Sequence, residues 1–406
     1  MRAKAVGPSL AVLFAVNVLN IYDRQVLSAV VEPLRHEFHL SDTQLGLLPT
    51  LFTVLYAIAG LPLGRAADRG SRRRLLAGAI AVWGALTALG GMAASYAVLL
   101  ATRLGVGIGE AVCAPAATSW IGDLVPAARR ARAMAGFMAA VPVGIMLSMA
   151  ISGPLAQAHG WRTAMVVAAI PAMLLVPVVL WLPEPGRVGA AGLVDSYEFL
   201  RVPAFWWIAA SGAIVNSALY SFSYFLPAFL TRVHGLTVGQ AGVWTGIGSG
   251  VAGLAGAAAV WTAGDRREGS RLGLAAGAAF VAAPLMFASL RMPVGGAIGL
   301  AMLAYGLLQT YYGLVYAALH DVVAAPVRGT AMSAYLMVSY LCGASFGPLL
   351  TGRLSDHFAR ASGLPAEAAK AAGLHQAMYV IPVMCVLLGL VLWKANRATT
   401  DFRSGF

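Results

Sequence analysis

The chain has 406 residues, of which 59% are hydrophobic and only 11% are charged. A soluble protein of this composition would expose mostly apolar surface to water, so the composition excludes a soluble globular protein and indicates a membrane protein. The formal net charge of +12 is compatible with nucleic-acid binding, but the Lys and Arg residues lie in short loops between apolar runs, where they orient membrane spans. We therefore expect the partner to be a lipid bilayer and not a nucleic acid.

Apolar stretches of about 20 residues have the length that crosses ~30 Å of hydrocarbon as a helix. Twelve such stretches begin near residues 9, 44, 74, 97, 133, 162, 204, 238, 272, 294, 328 and 374. The first is too long, and too polar at its centre, to be a cleaved signal peptide. The sequence predicts an all-α membrane protein with twelve transmembrane helices.

Polar and charged residues interrupt the first predicted helix. Asn17, Asn20 and Arg24 recur at helical spacing, with Asp23 at the edge of the same stripe. An ionised side chain near the middle of a span costs at least ~2.5–3.5 kcal/mol, so such groups normally face an internal wetted cavity or a partner. This stripe is a candidate functional site.

The loop between predicted helices 2 and 3 is rich in arginine and also contains one acid. Gly64, Asp68, Arg69 and Arg72 lie in this loop, and Asp123 follows predicted helix 4. Asp68 can lie near the positive end of helix 11, and Arg69 or Arg72 can pair with Asp123. Such contacts would form a cytoplasmic gate in one transport state; the alternative is that these charges only set topology.

Predicted helix 4 contains a second charged cluster. Arg103 and Glu110 are seven residues apart, which is two helical turns, so they share a face. If both stripes line one cavity, Arg24 and Arg103 offer fixed positive charge, while Asp23 and Glu110 can gain or lose a proton. The alternative is that the same charges form static pairs that hold helices 1 and 4 together.

The chain also repeats itself. Asp123 and Met134 have counterparts in Asp321 and Met332, each Met following its Asp by the same interval. Two six-helix, pseudo-symmetric halves with the same residues at corresponding loop positions are the signature of a parallel-repeat transporter. Such a transporter binds its substrate between the halves. We expect bundles at 1–183 and 204–396, a cytoplasmic linker at 184–203 and a cytoplasmic tail at 397–406.

The second half offers hydroxyl and amide groups on apolar helices. They recur at three- and four-residue spacing in predicted helices 7 and 10 and are Asn216, Tyr220, Ser223, Tyr224, Tyr305, Gln309, Tyr312 and Tyr316. Such a wall suits a substrate that is part alkyl chain and part polar head. Packing alone is the competing interpretation of an aromatic stripe.

An intramembrane enzyme is not expected. The seven histidines fall in loops or at helix ends without the His-Glu-x-x-His spacing, and Cys113, Cys342 and Cys385 have no close partner. No nucleotide-binding loop is present, so ATP cannot drive the process. We expect no cofactor, no metal and a monomer. Positive charges collect in the loops on the side of the N-terminus, so both termini are predicted to be cytoplasmic, in the inner membrane.

The loop from Gly64 to Arg73, read as Gly-Arg-Ala-Ala-Asp-Arg-Gly-Ser-Arg-Arg, resembles the signature of the major facilitator superfamily. The stretches from Asn17 to Arg24 and from Arg103 to Glu110 are similar to those of its Spinster family of lipid carriers. The resemblance implies transport of a lysophospholipid or a sphingosine-phosphate-like lipid by alternating access, coupled to or regulated by protons. A proton-coupled carrier of a soluble organic anion, such as a sugar acid or an aromatic acid, is the alternative.

Overall fold

The structure is a computed structural model and describes residues 2–184, 198–263, 271–323 and 327–404. Across these ranges the regular elements are helices. Those of the first half are α1 (Arg2–Ala29), α2 (Val31–Phe38), α3 (Asp42–Arg69), α4 (Arg72–Gly91), α5 (Tyr96–Glu110), α6 (Cys113–Leu124), α7 (Ala127–Met138), α8 (Ala140–His159) and α9 (Trp161–Trp181).

The second half begins with a 3₁₀ turn at Glu198–Arg201. Its helices are α10 (Pro203–His234), α11 (Val238–Ala263), α12 (Arg271–Ser289), α13 (Val294–Val322), α14 (Arg328–Ser339), α15 (Phe346–Ala361), α16 (Ala366–Met378) and α17 (Val380–Ser404). A π-helical segment, Tyr340–Ala344, joins α14 to α15.

Together the described helices form twelve spans that are long and apolar enough to cross a bilayer. The predicted all-α architecture with twelve membrane spans is confirmed. The largest difference is in the last span, predicted near residue 374 and observed from Ala366. The sequence hid its first turns because Glu367 and Lys370 make them polar, although they are helical.

The exposed surface of the spans is apolar. Trp181 is 87% exposed and Leu174 is 66% exposed, and many other large apolar side chains of the spans also face outward. Patches of this kind would be unfavourable in water but are favourable against lipid chains. The protein is therefore a multi-pass membrane protein.

Contacts between helices divide the chain into two compact units. Unit 1 comprises residues 1–40, 51–191 and 236–247, and unit 2 comprises residues 41–50, 192–235 and 248–406. In unit 1, α1 packs against α8, and α4 packs against α5 and α9. In unit 2, α12 packs against α13 and α17, while α15 packs against α16. The domain boundaries expected from the sequence stay a prediction.

The repeat found in the sequence has a counterpart in one ion pair of each unit. In unit 1, Arg72 Nη1 lies 2.6 Å from Asp123 Oδ2. In unit 2, Arg271 Nη1 lies 2.8 Å from Asp321 Oδ2. The acids are the two that the sequence repeat aligns, and each arginine is near the start of a span. The two units thus repeat an interaction as well as a pattern of residues.

Several of the described spans are interrupted. The fourth span breaks between α5 and α6, directly after Glu110, and the fifth breaks at Ala139 between α7 and α8. The eleventh span contains the π-helical segment Tyr340–Ala344. Such breaks occur where side chains or tight contacts replace part of the regular hydrogen-bond ladder, and they are often found at functional sites.

Gly144 tests the tight packing of α8 against α1. A Cβ atom at this position would lie 2.7 Å from Ile21 Cβ and 2.8 Å from the Val18 carbonyl oxygen. Because backbone cannot move aside easily, Gly144→Ala should destabilise the protein by ~1–3 kcal/mol. Gly136→Ala is the matched control, since nothing lies within 4 Å of its Cβ position. Thermal unfolding in detergent should show a lower midpoint for Gly144→Ala alone; equal midpoints would contradict the packing argument.

Candidate functional site

Four charged side chains of α1 and α5 form two ion pairs inside unit 1. Arg24 Nε donates to Glu110 Oε2 at 2.8 Å, and Arg103 Nη1 donates to Asp23 Oδ2 at 3.2 Å. Each ion pair joins α1 to α5, so the neighbouring residues Asp23 and Arg24 do not pair with each other. Because Arg103 and Glu110 stand two turns apart on α5, the pairs lie at different heights along that helix.

These charges are almost completely buried. The exposed fractions are 3% for Asp23, 1% for Arg103 and 0% for Glu110, whereas the Arg24 side chain is 12% exposed. Removing one partner of such a pair leaves an uncompensated buried charge, at a cost of ~3–5 kcal/mol. Arg24 is thus the member of the cluster with the most access to solvent or to a ligand.

Arg103 has a second hydrogen-bond partner. Its Nη2 atom donates to the Thr87 hydroxyl at 2.7 Å, which adds a third helix, α4, to the cluster. Glu110 also interacts electrostatically with the Asp23 carboxyl, so the two ion pairs are not independent. A change of charge at either acid therefore changes the field at the other.

Two aromatic residues of α3 cover the Arg24 guanidinium. Its carbon lies 4.1 Å from the centre of the Tyr56 ring and 5.5 Å from that of Phe52. A cation over an aromatic face is stabilised by ~0.5–2 kcal/mol. The sequence analysis missed this pair, although the spacing of four residues on an apolar helix places both rings on one face.

The two asparagines of α1 differ in their surroundings. Asn17 Nδ2 donates to the Phe137 carbonyl at 2.9 Å, next to the break between α7 and α8. Asn20 is 2% exposed, and its Nδ2 atom has no hydrogen-bond partner among the described residues. Asn17 satisfies a backbone group, whereas the Asn20 amide retains donors that a ligand could use. Their assignment to substrate binding stays a prediction.

The polar wall predicted for the second half exists within unit 2. Tyr312 donates its hydroxyl to Asn216 Oδ1 at 3.1 Å, which links α13 to α10. On α13, Gln309 Nε2 donates to the Tyr305 hydroxyl at 2.8 Å. Residues expected to share a surface are thus in direct contact. Much of their hydrogen-bonding capacity is used within the wall, which is also what packing would require.

Further tyrosines enlarge this wall, and the sequence analysis did not select them. Tyr311 shares a hydrogen bond with Ser211 at 2.7 Å and with Tyr335 at 3.0 Å. Tyr340, in the π-helical segment, packs edge-on against the Tyr220 ring. Tyr335 lies on α14, Tyr340 lies in the π-helical segment, and Tyr311 lies on α13 next to Tyr312. Periodicity within one helix therefore could not connect them.

Tyr224 points to a different neighbour. Its hydroxyl donates to the Leu45 carbonyl of α3 at 2.8 Å, and the residue is 6% exposed. The contact ties α10 to the first turns of α3. Tyr224 therefore has a structural contact in addition to its predicted substrate-binding role, which stays a prediction.

Some side chains of the predicted cytoplasmic gate lie within the described residues. Arg72 is 1% exposed, and its Nη1 donates to Asp123 Oδ2 at 2.6 Å and to the Ser119 carbonyl at 2.9 Å. Both partners of the Arg72–Asp123 pair belong to unit 1, so the pair stabilises that unit. The side chains of Asp68 and Arg69 lie outside the described residues, and the gate prediction now depends mainly on them.

Gly64, the remaining gate residue, lies opposite α6. A Cβ atom there would be 3.7 Å from Pro115 Cβ, which is ordinary van der Waals contact. The space alone would accept a small side chain at this position. Its assignment to the gate stays a prediction.

Glu184 extends the Arg72 cluster and was missed as a site residue. Its carboxylate accepts hydrogen bonds from the Ser71 hydroxyl and from the Arg72 backbone N–H, both at 2.6 Å. It therefore caps the first turn of α4 from a distant part of the chain. Burial raises the pKa of the Glu184 carboxyl, but the hydrogen bonds from Ser71 and the backbone, with the Arg72 charge, outweigh burial and lower the pKa.

Metal binding has no support in the described part of the chain. Within it, no group of three or more His, Cys, Asp or Glu side chains is placed so as to hold a metal ion. The chemistry available to the buried cluster is ion pairing and proton binding.

A family model described as Major Facilitator Superfamily matches residues 13–348. The chain belongs to the Major Facilitator Superfamily. An "MFS-type efflux pump" of Mycolicibacterium smegmatis is 32% identical over 96% of this chain and 93% of its own length. A "Probable L-galactonate transporter" of Escherichia coli is 25% identical over 86% of this chain and 83% of its own.

A solved structure relates this superfamily member to the Spinster proteins. The structure is described as a bacterial homologue of the human lysosomal transporter Spinster, in an inward-facing and unoccupied conformation. It is 26% identical, covers 99% of both chains and superposes with a TM-score of 0.87. The resemblance to the Spinster family is confirmed.

The Glu184 cap gives a test of stability against pH. Because the folded pKa lies below the ordinary value of about 4.3, the stabilisation is complete above that value and is lost as pH falls through the folded pKa. Glu184→Gln should lower stability by ~1.5–3 kcal/mol at pH 7 and pH 5, and the difference from wild type should shrink below about pH 4. Thermal unfolding across this range checks it.

Glu367→Gln is the matched control for this measurement. The Glu367 side chain is 66% exposed, and its ion pair with Lys370 spans 4.0 Å, so its replacement should change little. A Glu184→Gln effect that persists unchanged to pH 3 would contradict the role of the ionised carboxylate.

Proposed function

We propose that this protein is a secondary active transporter that moves an amphipathic lipid, such as a lysophospholipid or a sphingosine-phosphate-like molecule, by alternating access. We further propose that transport is coupled to or regulated by protons through Glu110 and Asp23. The observation that carries the proposal is the buried pair between Arg24 and Glu110, with the guanidinium partly accessible and the carboxylate inaccessible.

The Glu110 carboxylate and an anionic substrate compete for Arg24, so proton binding to Glu110 favours anion binding. When Glu110 is ionised, it neutralises Arg24 and leaves little positive charge for a ligand. When Glu110 takes up a proton, Arg24 loses its counter-ion and can bind an anionic headgroup over the Tyr56 ring. Thermodynamic linkage then requires that the substrate also change the affinity of Glu110 for its proton.

The lipid class is supported by the chemical contrast between the two groups of site residues. Arg24 and Arg103 offer cationic groups, while the wall around Tyr305 and Tyr312 offers rings and hydroxyls without charge. An anionic headgroup suits the arginines of unit 1, and uncharged rings such as those of unit 2 suit an alkyl chain. The resemblance of the charged stretches of α1 and α5 to those of the Spinster lipid carriers also supports this class of substrate.

The proposal also covers the location, oligomeric state and topology of the transporter. We propose a multi-pass inner-membrane protein, active as a monomer and without a cofactor, with both termini in the cytoplasm. The basic loops and the orientation rule support the topology.

A carrier of a soluble organic anion is the second candidate. Its specific support is the similarity to a probable L-galactonate transporter over most of the chain. A sugar acid would bind its carboxylate to the same arginines. The mechanism would be the same, and the substrate would differ.

Transport into proteoliposomes distinguishes these candidates. We expect uptake of a labelled lysophospholipid that depends on a pH gradient, and no accumulation of labelled galactonate or hexuronate. Accumulation of the sugar acids alone would establish the second candidate. Transport of neither substrate class, with correctly folded protein, would contradict both.

Glu110→Gln tests the proton site. The change preserves size and hydrogen bonding but removes the group that titrates, so transport should lose its dependence on pH while the protein remains folded. The measurement is the initial transport rate from pH 5.5 to 8.5. Asp23→Asn should give a related but separable defect, because Asp23 pairs with Arg103 instead of Arg24. An unchanged pH profile in Glu110→Gln would remove Glu110 from the mechanism.

Arg24→Ala tests headgroup recognition. Losing one charge-assisted partner in a cavity of low dielectric constant costs ~2–5 kcal/mol, so affinity for anionic substrates should fall far more than affinity for neutral analogues. Arg162→Ala is the control, since the Arg162–Glu37 pair is about 40% exposed and distant in the sequence. Equal losses for charged and neutral ligands would instead support a static ion pair.

A further inference from the structure

An exposed apolar stripe runs along α17 and ends in two cations. Its apolar members recur at three- and four-residue spacing, are each between 42% and 55% exposed, and are Val383, Val386, Leu387, Leu390 and Trp393. Lys394 and Arg397 continue the same spacing and are also exposed. Residues at this spacing share one face of a helix, so the stripe and the two cations form one continuous surface, which we call the α17 face.

The opposite face of α17 belongs to the interior of unit 2. It is at most 1% exposed at four successive turns, at Ile381, Cys385, Leu388 and Leu392. This side packs against α10 and α12. One side of the helix therefore contacts protein, and the α17 face is left for the bilayer.

The length of the α17 face matches one leaflet of a bilayer. Val383 and Trp393 are ten residues apart, which is ~15 Å of helix and about half of the ~30 Å hydrocarbon thickness. Tryptophan is enriched where hydrocarbon meets the headgroups, because its ring is apolar and its N–H is polar. We therefore expect the apolar stripe to lie against acyl chains, and Lys394 and Arg397 to lie beside lipid phosphates.

Both cations are stacked on tryptophan rings. Lys394 Nζ lies 5.2 Å from the centre of the Trp207 ring of α10, and the Arg397 guanidinium carbon lies 3.7 Å from that of Trp393. An aromatic face orients a cation without cancelling its charge. Among the side chains that the structure describes, no carboxylate pairs with either cation, so their positive charge can attract an anion.

The start of α10 adds further apolar surface next to Trp207. Trp206 is 49% exposed, and its Nε1–H donates to the Leu200 carbonyl at 2.8 Å. Leu200, in the 3₁₀ turn before α10, is 38% exposed. Because the polar N–H is satisfied by the backbone, the Trp206 ring can lie against lipid without an unpaired donor.

We propose that the α17 face binds one anionic phospholipid of the bilayer, with its phosphate at Lys394 and Arg397 and an acyl chain along the apolar stripe. A zwitterionic lipid carries its own cation next to the phosphate, so two protein cations favour a headgroup with net negative charge. A free anion has no chain to cover the stripe. On the topology proposed above, this lipid belongs to the cytoplasmic leaflet; it is a component of the membrane and not the transported substrate.

Native mass spectrometry of the purified full chain with added lipids tests the site. Phosphatidylglycerol is the anionic probe, and phosphatidylcholine with the same acyl chains is the zwitterionic one. Each cation near an anionic lipid surface raises affinity roughly 5-fold, so Lys394→Gln combined with Arg397→Gln should weaken the tightest phosphatidylglycerol binding about 30-fold. Phosphatidylcholine binding should change little. Unchanged phosphatidylglycerol affinity in the double variant would overturn the proposal.

Three controls make this result specific. Arg291→Gln removes another exposed arginine of unit 2, stacked at 4.3 Å on the Phe287 ring beyond the other end of α12, and should leave the affinity unchanged. An equal loss in this variant would mean that only overall charge matters, and would overturn the site. Arg397→Lys retains the charge and should retain most of the affinity. Displacement of phosphatidylglycerol by inorganic phosphate at equal concentration would show a free-anion site and would overturn the lipid assignment.

Fluorescence quenching locates the acyl chain. A small fraction of phosphatidylglycerol with brominated chains, in phosphatidylcholine vesicles, should quench Trp393 more strongly than Trp181 of unit 1, although Trp181 is 87% exposed. The variants Trp393→Phe and Trp181→Phe give each contribution by difference. The excess at Trp393 should vanish in the double cation variant. Equal quenching of both tryptophans would indicate ordinary boundary lipid and would overturn the proposal, whereas failure of substrate transport would leave it intact.

Discussion

The burial of charge among apolar helices is the constraint on which the rest of the structure depends. Asp23, Arg103 and Glu110 are nearly or completely inaccessible, and each must be paired because an isolated ion at this depth is very unfavourable. Satisfying these charges fixes α1 against α5 and, through Thr87, against α4. The arrangement that satisfies the charges is also the one that leaves Arg24 accessible.

Carboxylates also satisfy backbone N–H groups at the first turns of two helices. Asp356 caps α3, and Glu184 caps α4, each from a part of the chain that is distant in sequence. A cap supplied by the same helix would remain in place during any rearrangement. A cap supplied by another segment depends instead on how that segment packs against the helix.

Sequence reasoning reached the candidate site because membrane burial makes charge conspicuous. The free-energy cost of a charge inside a membrane was enough to select four residues, Asp23, Arg24, Arg103 and Glu110. The structure brings them together in two ion pairs. The sequence did not determine which acid pairs with which base, because several pairings satisfy the same helical spacing. Tyr56, Tyr335 and Glu184 were missed because an aromatic residue in a span, or an acid in a linker, carries no such cost.

The sequence by itself determined the number of spans, the superfamily and the charged positions, because hydropathy, length and loop motifs are local properties that a bilayer constrains strongly. Only the tertiary structure decided the partners of each charge, including the pair between Asp42 and Arg232, the cover of Phe52 and Tyr56 over Arg24, and the break after Glu110. These features depend on contacts between residues far apart in the chain. No periodicity within one helix encodes such contacts, so they emerge only when the helices pack.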